Sequence, residues 1–269
     1  MASCILRWLS DETAAGRDKI PGRRITCPRL PDTRSHRGPH PDDARLFAPP
    51  AWPRLRDATA DLSWLLSRGY ALPGALQVVG NRYDLETRQR QAVTRSACSD
   101  EALARRRSTA AAAEALAGVT LLVDGYNVLT TVEAALGGAV VLLGRDGALR
   151  DIAGVHGTYR RVEETLPALH TVGTYLRSVG ARQCEWFLDA PVSNSGRLKA
   201  IIESAARESG WDWIVHVVPN PDTDLAAARS AVVASADSVI LDRCELWFSL
   251  ARGVVAASVP EARLVNLQV

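Results

Sequence analysis

A carboxylate directly follows a short, mostly apolar run of this chain that resembles a strand. Val119–Val123 is β-branched and largely apolar, which predicts a strand buried on both faces, and Asp124 follows it directly. Chemistry in open α/β sheets lies at the carboxyl ends of strands. Gly125 would let the backbone turn there, and Asn127 would bring a second side-chain oxygen. Asp124 is therefore a candidate catalytic residue, and the alternative is an Asp that only caps the next helix.

Further apolar runs also end in acids. The acids are Asp189 after the run Cys184–Leu188, Asp222 and Asp224 after Trp213–Val218, and Asp237 beyond Val232–Ala234. If the strands are parallel, the acids converge at one edge, and their repulsion calls for a cation. Oxygen ligands without histidine or thiolate favour Mg²⁺ or Mn²⁺, and such a cluster suits phosphodiester hydrolysis.

Alternating strand and helix patterns would position these acids. Helices are predicted over Val128–Leu136, Tyr159–Val179 and Arg197–Glu208, and Ala139–Leu143 is predicted to be another strand. Repeated units of this length predict an α/β fold in residues 119–269, with a doubly wound, mainly parallel sheet flanked by helices.

The part of the chain before this domain differs in composition and in hydrophobic pattern. Residues 1–52 are rich in Pro and Arg and predict a disordered extension. Residues 53–118 predict a small all-helical, basic region. Its helices would run from Leu55 to Gly69, over Leu72–Val79, from Asp84 onward, and through the alanine run Ala110–Ala117.

Charge is unevenly divided along the chain. Residues up to Gly118 hold 19 Lys and Arg against 13 Asp and Glu, and the remainder holds 13 against 17. A basic front before an acidic back suits a polyanion such as RNA, with Arg88, Arg95 and Arg105 as candidate binding residues. Ser193, Asn194 and Ser195 precede a predicted helix, where they would either bind a substrate phosphate or serve as an ordinary cap.

Composition excludes several classes of protein. The 269 residues contain no apolar run near the roughly 20 residues of a membrane span, and Met1–Asp11 lacks a secretory apolar core. A cytoplasmic location is therefore expected. The five cysteines show no metal-binding or disulfide spacing. The oligomeric state is left open, a homodimer included.

The motifs together resemble known families. Asp124-Gly125-Tyr126-Asn127, Leu188-Asp189, Asp222-Thr223-Asp224 and Ser235-Ala236-Asp237 are similar to the PIN and NYN group of metal-dependent ribonucleases. From about Leu55 onward the chain also resembles a prokaryotic family of unknown function, numbered four-three-four. That likeness rests on Trp64-Leu65-Leu66-Ser67-Arg68-Gly69-Tyr70, Gly80-Asn81-Arg82-Tyr83 and Ser193-Asn194-Ser195-Gly196.

The PIN and NYN resemblance implies roles for the acids. Asp124 and Asp237 would bind metal, and Asn127 would orient substrate or water. Asp189 and one of Asp222 and Asp224 would complete the site. A further acid is usual on the helix after the first strand, and Glu133 is the nearest candidate.

Two functions follow from these patterns. The first is a Mg²⁺- or Mn²⁺-dependent ribonuclease in which Arg-bearing helices present RNA to the acids. The second is a non-catalytic PIN-like module for RNA binding or scaffolding.

Overall fold

The computed structural model describes residues 37–152 and 159–269. The helices are α1 (Asp43–Leu46), α2 (Trp52–Ser67), α3 (Leu72–Arg82), α4 (Thr87–Ser96), α5 (Asp100–Ser108), α6 (Gly125–Leu136), α7 (Thr165–Ser178), α8 (Ser195–Ser209), α9 (Pro221–Ala226), α10 (Ser238–Leu241) and α11 (Leu250–Ser258). Short 3₁₀ turns span Pro49–Ala51 and Ala113–Leu116. The strands are β1 (Thr120–Asp124), β2 (Val141–Leu143), β3 (Leu149–Asp151), β4 (Gln183–Asp189), β5 (Trp213–Val218), β6 (Val232–Ala234), β7 (Trp247–Phe248) and β8 (Leu264–Asn266).

The main sheet is parallel and has the strand order β5-β4-β1-β6-β7. From β1 the chain builds outward through β4 to β5, and it then crosses to the other side of β1 for β6 and β7. One face is covered by apolar side chains of α6, α7, α8 and α11, and the other by those of α9 and α10. The predicted mainly parallel α/β sheet with flanking helices is confirmed.

A second sheet joins the N-terminal helices to the rest of the protein. It has the order β3-β2-β8, with β2 antiparallel to β3 and parallel to β8. Leu142 of β2 and Val265 of β8 share one apolar core with Leu55, Leu62 and Val93 of the helical region. The strand predicted at Ala139–Leu143 therefore exists, but it pairs outside the main sheet.

The predicted disordered extension is folded over part of its length. Leu46 and Phe47 are buried at 4% and 2% exposure, and the Trp52 indole donates to the Phe47 carbonyl at 2.9 Å. Leu46 and Phe47 bury their side chains at the end of α1, but so short an apolar pattern has no detectable period in the sequence. Residues 1–36 of that extension lie outside the described residues.

Several predicted helices begin or end elsewhere, and one does not form. The alanine run forms only the short 3₁₀ turn, because Ala110 pairs with Trp247 and the Ala111 N–H donates to the Trp247 carbonyl at 2.7 Å. Tertiary pairing here overrides the high helix propensity of alanine. Asp84 has a left-handed φ of 45° and follows the end of α3, so α4 begins instead behind Glu86, which forms a capping box with Gln89.

No helix in residues 37–152 and 159–269 is long and apolar enough to cross a membrane.

Candidate functional site

Acidic side chains meet at the carboxyl edge of the main sheet, where the strand order reverses. β1 ends at Asp124, and its neighbour β6 leads directly into Ser235 and Asp237. In doubly wound sheets the crevice for ligands lies at such a switch point. The "acidic cluster" consists of Asp124, Asp189, Asp222 and Asp237, whose charges act on one another.

Asp124 lies at the centre of this cluster. It is 7% exposed, and burial raises its pKa to about 7. The hydrogen bond from Ser235 opposes this rise, whereas the charges of Asp237 and Asp222 add to it. Asp124 precedes α6 but makes no capping hydrogen bond, although the Asn127 N–H lies near enough to lower the pKa slightly. Any capping contribution of this carboxylate is therefore weak, because it accepts its hydrogen bond from Ser235.

The turn Ser235–Asp237 holds the second part of the cluster. The Ser235 hydroxyl donates to Asp124 Oδ2 at 2.7 Å and accepts from the Asp237 N–H at 2.9 Å. Asp237 Oδ1 in turn accepts from the Val239 N–H at 2.7 Å, which caps α10. Asn127 Oδ1 accepts from the Ala236 N–H at 2.9 Å. Asn127 thus fixes this turn through its oxygen, which leaves only its NH₂ group for a substrate.

Asp189 and Asp222 form the outer part of the cluster. Burial raises the pKa of Asp189 at the end of β4. Partial desolvation, followed by the charges of Asp237 and Asp189, raises the pKa of Asp222 at the start of α9. Asp222 is thus the member of the Asp222/Asp224 pair whose charge acts on Asp124, and Asp224 is an exposed residue of the same short helix.

Oxygen donors of this kind fit Mg²⁺ or Mn²⁺. Within the described part of the chain, no member of the acidic cluster forms an ion pair with Lys or Arg. The negative charge of the cluster is therefore not balanced by a cationic side chain. Over the same residues, no group of three or more His, Cys, Asp or Glu side chains is arranged to hold a metal ion. Mg²⁺ sites often use one or two carboxylates with water and substrate phosphate, and Asp124 and Asp237 match that pattern.

The segment Ser193–Ser195 is engaged by the protein itself. The Ser195 hydroxyl bonds the carbonyls of Asp189 and Val192 and lies 2.8 Å from the Tyr126 hydroxyl. Asn194 has a left-handed φ of 74°, makes no side-chain cap and donates to the Tyr159 carbonyl at 3.0 Å. The expected side-chain cap is absent there. Ser193 is exposed, and phosphate binding by this segment stays a prediction.

The three arginines predicted to bind RNA contact other parts of the protein. Arg88 forms a two-pronged pair with Asp43, which is fully buried. Arg95 Nη2 lies 3.6 Å from Asp151 Oδ1, and Arg105 Nη2 donates to the Cys244 carbonyl at 3.3 Å. None of these contacts reaches the acidic cluster. Arg105 is exposed and retains the access that a phosphate contact requires.

Glu133 does not complete the acidic cluster. It is fully buried on α6, where its carboxylate bonds Arg37 Nε at 2.7 Å, the Thr165 hydroxyl at 2.6 Å and the Tyr159 hydroxyl. Burial raises its pKa against the opposing effect of Arg37. A lone acid within the apolar helix Val128–Leu136 was the sequence signal for such a buried, paired role.

A buried ion-pair network near the cluster was not expected from the sequence. It comprises Arg106, Asp146, Arg150 and Asp242. Burial opposes ionisation of Asp146, but Arg150 and Arg106 lower its pKa to about 2. Arg150 lies in β3, which was not predicted, so no pattern in the sequence indicated that Arg150 is buried.

Comparisons with known proteins show where this chain belongs. The family described as "Protein of unknown function (DUF434)" matches residues 54–109, which confirms the resemblance to that family in the helical region. "Uncharacterized protein MJ0935" of Methanocaldococcus jannaschii is 30% identical over 187 residues, covering 70% of this chain and 88% of the relative. No solved structure matches. The family described as "Domain of unknown function (DUF5616)" matches residues 113–253, and the chain belongs to that family.

Proposed function

We propose that the protein is a Mg²⁺- or Mn²⁺-dependent ribonuclease with a PIN-like α/β domain. One observation carries the proposal: a buried Asp124 with a pKa raised to about 7 faces further acids at the switch point of a parallel sheet. Perturbed carboxylates in such a crevice are typical of functional sites. The likeness of the strand-end motifs to PIN and NYN ribonucleases supports the choice of reaction.

Each residue has a role that follows from its contacts. Ser235 engages Asp124 Oδ2, and the Val239 N–H engages Asp237 Oδ1, so each acid keeps its other oxygen for a cation. Asp189 and Asp222 add negative charge that strengthens cation binding. The NH₂ group of Asn127 is placed to orient substrate or water. A bound divalent ion would lower the pKa of a water molecule and offset charge on the scissile phosphate.

A second candidate function is a non-catalytic RNA-binding or scaffolding module. It is favoured by the lack of a group of three metal-ligating side chains among the described residues. Such a module would bind RNA equally well in EDTA and would not cleave it.

Cleavage of end-labelled single-stranded RNA tests the proposal. With Mn²⁺ the wild type should cleave the strand, and Asp124→Asn or Asp237→Asn should abolish cleavage. Asp212→Asn is the matched control, since Asp212 is exposed and precedes β5 at the opposite edge of the sheet. Cleavage that continues in EDTA, or that both cluster variants retain, would exclude the acidic cluster as the active site.

A further inference from the structure

The ion-pair network connects the helical region to the turn that carries the acidic cluster. Arg106 of α5 donates to both oxygens of Asp242, with Nε–Oδ1 and Nη2–Oδ2 distances of 2.7 and 2.9 Å. Its third nitrogen, Nη1, donates to Asp146 Oδ2 at 2.7 Å. The guanidinium is buried, and the Trp247 indole fixes the Arg106 carbonyl at 2.7 Å. One arginine of the helical region is therefore fully engaged by the α/β domain.

The network continues from Asp146 to the acidic cluster. Arg150 donates to both oxygens of Asp146, at 2.9 and 2.7 Å, and its Nε donates to the Ala236 carbonyl at 2.8 Å. The N–H of the same residue, Ala236, donates to Asn127. Ala236 is thus held from two sides, between the hydrogen bonds that join Ser235 to Asp124 and to Asp237.

Both ends of α10 are held in this way. Asp242 directly follows the helix, and Ala236 and Asp237 directly precede it. We propose that Arg106 and Arg150 are positioning residues of the acidic cluster, which fix the Ser235–Asp237 turn through Asp242, Asp146 and the Ala236 carbonyl. This inference rests on the proposed function for its catalytic consequence. It also gives the helical region a role in the site of the α/β domain, because Arg106 belongs to that region.

Variants of Arg150 and Arg106 test the inference in the full-length protein. Arg150→Gln and Arg106→Gln should lower Mn²⁺ affinity tenfold to a hundredfold, roughly the cost of losing a residue that supports metal ligands. They should also lower kcat more than they raise KM. Arg150→Lys keeps the charge but lacks the planar fork, so it should restore only part of the affinity.

Two further variants separate positioning from general stability. Arg90→Gln removes a partly buried arginine that bonds Leu85 and Asn81, far along the chain from the cluster, and it should leave Mn²⁺ affinity unchanged. Gly144→Ala keeps every side chain of the network, but its new Cβ would lie 2.6 Å from Arg150 Nη1 and 3.1 Å from Asp146 Oδ1, so it would displace their contact. That displacement should reproduce the Arg150→Gln effect in a milder form.

Amide hydrogen exchange makes the test independent of activity. In Arg150→Gln and Arg106→Gln, the amides of Ala236, Asp237 and Val239 should exchange faster than in Arg90→Gln. If these amides exchange at the same rate in the network variants as in Arg90→Gln, the positioning role is overturned, whether or not the protein is a nuclease. If the wild type neither binds Mn²⁺ nor cleaves RNA, the proposed function fails, and selectively faster exchange still supports the structural link. An active wild type with unchanged Mn²⁺ affinity in Arg150→Gln would overturn the inference alone.

Discussion

Two groups of acids lie near the Ser235–Asp237 turn, each with one buried member, and their charges are balanced differently. Asp146 has two guanidinium partners that lower its pKa to about 2. Asp124 has a serine hydroxyl and further carboxylates nearby, and its pKa is raised to about 7. Both residues are less than 10% exposed, so burial alone does not separate them.

The difference shows how a structural acid is distinguished from a functional one. A carboxylate whose charge is balanced by guanidinium partners needs no further counter-ion, and its loss should destabilise the fold. A carboxylate left beside like charges is stabilised only by a proton or a cation from solution. Under the proposed function, the acidic cluster is the part of this molecule that would bind a ligand, and the ion-pair network is the part that would hold it in place.

Removing the balanced acid should have the largest effect. Asp146→Asn leaves Arg106 and Arg150 buried without their shared anion, which should lower the free energy of unfolding by about 3–5 kcal/mol. Asp100→Asn is the control, because Asp100 pairs with Arg145 at an exposed position and its replacement should cost far less. Urea unfolding measures both values, and equal costs would show that Asp146 matters no more to folding than an acid in an exposed ion pair.

The pH dependence of stability should distinguish the groups by its sign. The folded pKa of Asp124 is raised above its unfolded value, so its favourable contribution is complete below about pH 4 and is lost as pH rises through about 7. In EDTA, the advantage of Asp124→Asn over wild type should grow between pH 4 and pH 8, by something on the order of 4 kcal/mol.

Asp146→Asn provides the contrast in the same experiment. The folded pKa of Asp146 is lowered, so its contribution is lost only as pH falls through about 2. Its difference from wild type should therefore stay flat between pH 5 and pH 8. A flat profile for Asp124→Asn as well would contradict the raised pKa and the reasoning based on it.

A smaller effect is expected at the serine between the two acids. Ser235→Ala removes the hydroxyl that donates to Asp124 and accepts from the Asp237 N–H. The loss should be about 1.5–3 kcal/mol at pH 8, where Asp124 is charged, and less at pH 5. A double-mutant cycle with Asp124→Asn measures this coupling directly, and independent effects would show that Ser235 acts elsewhere.

Local sequence patterns predicted the sheet edge well. β5 and β6 occur at their predicted bounds, and β1 differs from its prediction by one residue at each end, because each is an apolar run bounded by polar or turn-forming residues. The ends of these strands placed Asp124 and Asp237 together. β3 was missed, since three residues are too few to show an alternating pattern.

Long-range ion pairs were not predictable in the same way. Arg106 pairs with Asp242 across 136 residues, and Arg37 pairs with Glu133 across 96. Nothing in the local sequence specifies such partners, so the burial of these charged residues was not predicted. The ion pair between Arg88 and Asp43 was also missed, because Asp43 lies in a segment that was expected to be disordered.

Thermal unfolding of wild type and Asp237→Asn, each in EDTA and in Mn²⁺, tests the central claim most directly. Asn caps a helix as well as Asp does, so this variant keeps the cap of α10 and removes only the charge. In EDTA the variant should melt about 2–4 °C higher if roughly 1 kcal/mol of repulsion is relieved. Mn²⁺ at a hundred times its Kd should stabilise the wild type by about 2.7 kcal/mol and the variant by less. A variant that melts lower in EDTA and gains as much from Mn²⁺ as the wild type would contradict a cation site at the acidic cluster.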